Sequence, residues 1–220
     1  MGMQQGVETP PNDPEGEWLR ETLAVAAAFR FLARAFSYPH PGQTAQLMVE
    51  SAAIPWPAAA PHGAFRSAWE QAGEESLREE YMRLFLGGGV CSLHETSYGD
   101  ARRVGGQPVE LADIGGFYKA FGVEPSPAQP DLPDHLCTEL EFYSLLLVKE
   151  AYARNEAWTE QAQIAADASA KFLEYHLGRW IVPLVEGIRE HGGPGASYAV
   201  LATTKQNIIP TTAIAAMVAQ

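Results

Sequence analysis

Cysteine is nearly absent: Cys91 and Cys137 are the only two in 220 residues. That is too few for a disulfide framework, so both are expected as small, reduced, buried apolar residues. Basic side chains are also scarce, 15 Lys and Arg against 27 Asp and Glu for a formal charge of −12. Phosphate contacts need clustered cations, so nucleic acid is excluded as a partner. An acidic surface suits a basic partner, or simply keeps the chain in solution. Long hydrophobic runs are missing too. AVAAAF at 24–29 and YSLLLV at 143–148 fall well short of the roughly 20 residues a membrane span requires, and no span is expected. The opening MGMQQGVETPPNDPEGE has neither the basic start nor the apolar stretch of a secretory signal, which predicts a cytoplasmic protein. Strand alternation, internal repeats and a βαβ rhythm are all lacking, which leaves an all-α class built as a single compact helical domain. There is no G-x-S-x-G, no P-loop, no G-x-G-x-x-G after a strand and no H-E-x-x-H. No enzyme, catalytic residue, resident metal or cofactor is therefore expected.

What is present is enough apolar material, 46% hydrophobic and 10% aromatic, for one large core or two closely packed lobes. Residues 1–16 are Pro- and Gly-rich and are expected to be disordered, 17–205 form the helical domain, and 206–220 are a tail whose order the sequence leaves open. Trp18, Thr22, Val25, Phe29, Leu32 and Phe36 make one stripe at about 100° per residue, ending at the Pro39 and Pro41 stop. A short helix is expected at 43–53, then two stretches at about 61–71 and 74–86. The segment 87–108 reads as a loop. Leu111, Ile114, Phe117, Tyr118 and Phe121 recur at helical spacing, and VEPSPAQPDLP is a proline-rich connector. Trp158, Ala162, Ala165, Ser169, Phe172 and His176 share a face, with Gly178 as the expected stop. A last helix from Trp180, bent or restarted at Pro183, ends at GGPG.

PDLPDHLCTELEFYSLL, residues 130–146, has the punctuation of a helix start and too much apolar surface for a helix with a wet side. Asp131 is expected to cap it, with Pro133 in the first turn and Asp134 at the positive dipole end. Leu136, Leu140, Tyr143 and Leu147 form one core-facing stripe. His135, Glu139, Phe142 and Leu146 form a second, on which His135 and Glu139 are i, i+4 neighbours. That strip either holds a satisfied polar pair at a helix packing site or lines an open groove for a guest. His176 reads as a core or helix-terminal histidine. Tyr81, Leu84 and Phe85 have ordinary core spacing.

An alternative of another class is a metal-binding or hydrolytic domain that uses His135 and Glu139 with the cysteines. Its ligand set combines Cys91-x-x-His94 with His135-x-Cys137, four side chains of suitable type at an unusual spacing. Glu70, Glu74, Glu75, Glu79 and Glu80 form an acidic run, with Arg78 among them. It is either a solvated helix face or a receptor for a cationic partner.

The segments EEYMRLFLG, ADIGGFYKAFGVEP, LPDHLCTELEFYSLLLVKEAYA and FLEYHLGRWIVPL, in this order over residues 18–191, resemble the TorD/DmsD/NarJ-type maturation chaperones of molybdenum oxidoreductases. ADIGGFY and HLGRW are most similar to the chaperone (delta) proteins of type II dimethyl sulfoxide reductase-family enzymes. The resemblance implies an all-helical, non-catalytic cytoplasmic protein. Such a protein binds a molybdopterin-containing catalytic subunit, or its twin-arginine leader, until the cofactor is inserted and export follows. By motif match it implies guest-binding roles for Pro133, Asp134, His135 and Glu139, and for Tyr81, Leu84 and Phe85. The family's Tyr-Glu-Ser loop keeps only Glu95 and Tyr98 here and has no proline. Phe142 and Leu146 join the expected site as the apolar part of the strip beside His135. A twin-arginine leader carries two guanidinium forks and an apolar stretch, so its binder needs carboxylates beside an apolar groove. Family members are known as monomers and as domain-swapped dimers, and the loop from Gly87 to Pro108 is long enough to act as a swap hinge. A third reading, a permanent subunit of the mature enzyme, requires copurification with the exported complex.

Overall fold

The computed structural model describes residues 13–56, 62–86, 90–99, 106–124, 132–192 and 197–208. The expectations for residues 1–12, for 87–89 and 100–105 of the loop, for Asp131 as a cap and for the tail from 209 lie outside the described residues. The helices are α1 (Pro14–Ala35), α2 (Gln43–Ala53), α3 (His62–Phe85), α4 (Gly106–Ala120), α5 (Leu136–Asn155), α6 (Thr159–Phe172), α7 (Gly178–Gly192) and α8 (Ser197–Ile208). The all-α class holds. Among the described residues there is no strand beyond one isolated bridge, and no helix is long and apolar enough to cross a membrane.

Local chemistry sets the ends. The Asp13 carboxylate accepts from the Gly16 amide at 3.0 Å, and Pro14 occupies the first turn. Residues 14–16, expected in the disordered segment, therefore open α1, because Asp-Pro is a cap followed by a residue already set for helix. Gly73 has φ 73° and ψ 165°, a conformation that side-chain-bearing residues avoid. It divides α3 where the sequence reads two stretches.

Gly178 does not stop a helix. Its φ of −70° and ψ of −31° are helical, and α6 runs into α7 through a π-helical turn at Leu173–Leu177. The reason lies in the buried pairs Ala168/Ser169, Phe172/Leu173, His176/Leu177, Trp180/Ile181 and Leu184/Val185. They repeat every fourth residue, whereas an α-helix has about 3.6 per turn. A strict α-helix would carry this stripe around its axis. The wider π-turn absorbs the excess and keeps both halves facing the core.

α5 lies at the centre, packed chiefly between α1 and α6. On the α1 side, the rings of Phe29 and Tyr143 meet edge to face at 4.7 Å, and the Ser144 hydroxyl donates to the Ala26 carbonyl at 2.8 Å. On the other side, Phe142 packs at 4.6 Å from Tyr118 and 4.9 Å from Phe172. Both stripes of α5 are thus buried, each by a different neighbour.

The sequence reading ends its last helix at GGPG, yet α8 follows. Its first amides, Ser197 and Tyr198, donate to the Glu80 carboxylate at 3.1 and 3.0 Å. The Tyr198 ring sits among Phe36, Trp69, Tyr81 and Phe85, with centroids at 5.4–6.0 Å. A cap from another helix and an aromatic cup supply what a weakly amphipathic segment lacks by itself.

Candidate functional site

The entry to α5 is clamped to residues 90–99. Leu136 donates its amide to the Leu93 carbonyl at 2.8 Å and Glu95 donates to that of Asp134 at 3.0 Å, an antiparallel bridge centred on His94 and His135. The fully buried Asp134 carboxylate accepts from the Thr96 hydroxyl at 2.6 Å and its amide at 3.3 Å, and lies 3.1 Å from His94 Nδ1. Burial alone would push its pKa up. The hydrogen bonds from His94 and Thr96 outweigh that and hold the carboxyl below the usual range. His135 is the N-cap, its Nδ1 accepting from the Cys137 amide at 3.2 Å.

This clamp presents Glu95 and Tyr98 to a cleft of ≈ 370 Å³, whose lining also includes Glu110 of α4 and Arg179, Trp180 and Pro183 of α7. Tyr98 stacks on Trp180 at 5.5 Å and donates its hydroxyl to the Ser92 carbonyl at 2.8 Å. Burial pushes the Tyr98 phenol up to about 12, so it stays protonated. Pro183, which has no amide proton, lies inside α7 on the exposed side of that helix.

The floor of the cleft is acidic. Glu95 is buried, and His176 Nδ1 lies 3.3 Å from Glu95 Oε2 and 3.5 Å from Glu110 Oε1. Arg179 Nη1 is 3.6 Å from the same Glu110 oxygen, and Asp113 Oδ2 is 3.3 Å from His176 Nε2. Burial raises the Glu110 pKa first. The negative charge of Glu95 and a hydrogen bond with it raise it further, against Arg179 and His176, so Glu110 gives up its proton less readily than an ordinary glutamate.

Residues 51–186 match the nitrate reductase delta subunit family. Over 158 residues the chain is 30% identical to the chlorate reductase assembly chaperone protein of Ideonella dechloratans, covering 72% of this chain and 73% of that one. Over 161 residues it is 31% identical to the selenate reductase assembly chaperone protein of Thauera selenatis, again covering 72% and 73%. The chain belongs to the nitrate reductase delta subunit family. A solved structure from Archaeoglobus fulgidus, provisionally described as a redox enzyme maturation protein, overlaps 94% of this chain and 96% of its own at 17% identity and a TM-score of 0.49. Membership places this chain among redox-enzyme maturation chaperones rather than enzymes.

In this family member the signature residues are divided between core and cleft. Phe142 and Leu146 do not line an open groove. They are 3% and 0% exposed, because α4 and α6 cover that face of α5. Glu139 is equally buried and accepts from the Trp180 indole at 3.0 Å. Tyr81 and Leu84 are buried, and half-buried Phe85 packs with Tyr81 beneath α8. Half-buried Pro133 accepts from the Tyr118 hydroxyl at 2.7 Å. Of the residues expected to meet a guest, Glu95 and Tyr98 line the cleft.

The acidic run is largely engaged within the fold. Glu80 caps α8, Glu74 accepts from the Gly42 amide at 3.1 Å, and Glu75 pairs with Arg78 at 2.8 Å. The alternative ligand set does not assemble either. No three of Cys91, His94, His135 and Cys137 bring ligand atoms together, since His94 Nδ1 faces Asp134 and Cys91 packs at Gly187 of α7. Sequence reasoning missed Glu110, Asp113 and Arg179, and read His176 only as structural. The available signal was the pair Glu110 and Asp113, three apart on one helix, together with a histidine on the most apolar face of another.

Proposed function

We propose that this chain is a cytoplasmic, system-specific chaperone. It binds the twin-arginine leader, the immature catalytic subunit, or both, of a molybdopterin oxidoreductase, and holds them for cofactor insertion before export. The observation that carries the reading is the cleft. It sets the carboxylates of Glu95 and Glu110 beside the stacked Tyr98 and Trp180 in a chain whose relatives bear the names of reductase assembly chaperones. A guanidinium fork matches carboxylates in a sheltered site and lies flat against aromatic faces, and the apolar stretch that follows it in a leader suits a partly apolar rim. The chain's own Arg179 guanidinium lies 3.6 Å from Glu110, which supports a guanidinium as the group that the cleft takes, and a guest arginine would displace it.

The test is calorimetric. The probe is a synthetic peptide with two arginines followed by an apolar stretch, copied from the twin-arginine leader of a molybdopterin oxidoreductase. Binding that weakens with salt, falls at least tenfold in Tyr98→Ala and disappears when both peptide arginines become alanine supports the reading. Unchanged affinity for the double-alanine peptide removes the electrostatic half. Failure of the chain to copurify with any immature reductase subunit removes the maturation role.

A further inference from the structure

Glu95, Glu110 and His176 come from three separate elements, the 95–97 turn, α4 and the π-turn, and bring one ligand atom each within 4.8 Å of one another. Such a cluster ordinarily consists of side chains that satisfy each other. Here they do not. His176 is 1% exposed and Glu95 4%, yet neither ring nitrogen of His176 nor Glu95 Oε2 makes a hydrogen bond among the described residues. The separations are short enough, but the atoms are out of line for N–H···O contacts. A buried imidazole and a buried carboxylate oxygen left this way cost free energy unless something else meets them.

The two separations from His176 to the carboxylates match those around a shared cation. Zinc binds imidazole and carboxylate at about 2.0–2.2 Å, so two ligands on a tetrahedron around it stand about 3.3–3.6 Å apart. His176 Nδ1 lies 3.3 Å from Glu95 Oε2 and 3.5 Å from Glu110 Oε1. The other nitrogen, Nε2, is 3.3 Å from the carboxylate of Asp113. A metal-bound histidine commonly donates its second N–H to such a carboxylate, which fixes the tautomer. Asp113 is well exposed, so a small turn of its side chain completes the bond. Arg179 faces Glu110 and competes with a cation, but its side chain is 45% exposed, and swinging outward costs it only this ion pair and an exposed bond to the Tyr175 carbonyl at 3.1 Å.

We propose that Glu95, Glu110 and His176 form a binding site for one divalent cation of the zinc class, with Asp113 orienting His176 and the fourth position open to the Tyr98–Trp180 cleft. One histidine and two carboxylates make a borderline-hard set, suited to zinc or cobalt. The inference does not rest on the maturation reading. If both hold, cation and guest arginine compete for the same carboxylates.

The test uses the full, tag-free chain, stripped with chelator and desalted, without any guest. Zinc is titrated against a chromophoric chelator, and cobalt is added as a spectroscopic probe. One equivalent should bind, with the visible absorption of four-coordinate cobalt. Glu110→Gln and His176→Gln should weaken binding at least 100-fold, and Asp113→Asn by about 10–100-fold. Glu110 and Asp113 are not fully buried, so circular dichroism should show both of those variants folded even if His176→Gln is not. A folded Glu110→Gln that binds within tenfold of wild type overturns the proposal. So does the absence of saturable binding, which would make the cluster a set of internal contacts only. Loss of binding in His94→Ala but not in Glu110→Gln overturns it as well, by placing the metal elsewhere. Because no guest is present, failure here leaves the maturation reading intact, and failure of leader binding leaves this titration intact.

Discussion

Glu139 of α5 and Trp180 of α7 are joined in the core by an indole N–H donated to the carboxylate at 3.0 Å. The bond ties the LPDHLCTELEF segment to the HLGRW segment, two motifs 41 residues apart. Glu139→Ala leaves a buried donor behind and should cost about 1–3 kcal/mol in urea unfolding, whereas Glu139→Gln, which still offers an acceptor, should cost less. Unchanged stability in Glu139→Ala with loss of guest binding would return this residue to the guest.

Phe142 tests which side of α5 is covered. Its ring is packed by Tyr118, Phe121 and Phe172. Phe142→Ala should therefore destabilise by about 3–5 kcal/mol, with leader binding lost only as the fold is lost. A variant with the wild-type unfolding midpoint and no leader affinity would mean that α4 and α6 open this face to a guest.

Asp134 gives a pH dependence of fixed sign. Its folded pKa lies below its unfolded value, about 3.9 for an ordinary aspartate. The stability it contributes is present above that value and is lost as pH falls through the lower, folded one. In urea melts the wild type should exceed Asp134→Asn most at pH 5–7, with the gap shrinking below about pH 4. A gap that widened toward acid would contradict the His94 and Thr96 bonds as its source.

Glu80 holds the start of α8 from another helix. Glu80→Ala should cost about 0.5–2 kcal/mol, the range of a lost cap. It should also speed hydrogen exchange in 197–202 before exchange in α5 changes. Uniform exchange across both helices would show α8 to be no separate unit.

The sequence by itself determined the all-α class, the division of α3 at Gly73, α2 to the residue and the family. These depend on periodicity, glycine and proline chemistry, and ordered local motifs, all of which act over a few neighbouring residues. It also held, unread, the four-residue repeat of buried pairs from Ala168 to Val185 that calls for a π-turn. Only the tertiary structure decided that both stripes of α5 are covered and that neither lines an open groove. Both stripes are apolar, and the helices that cover them, α1, α4 and α6, come from distant parts of the chain. α8 is likewise set by Glu80 and an aromatic cup more than 100 residues earlier. The acidic cluster arose in the same way. Glu95, Glu110 and His176 each stand alone in the sequence, and a histidine on an apolar face looks structural until the fold places two carboxylates against it.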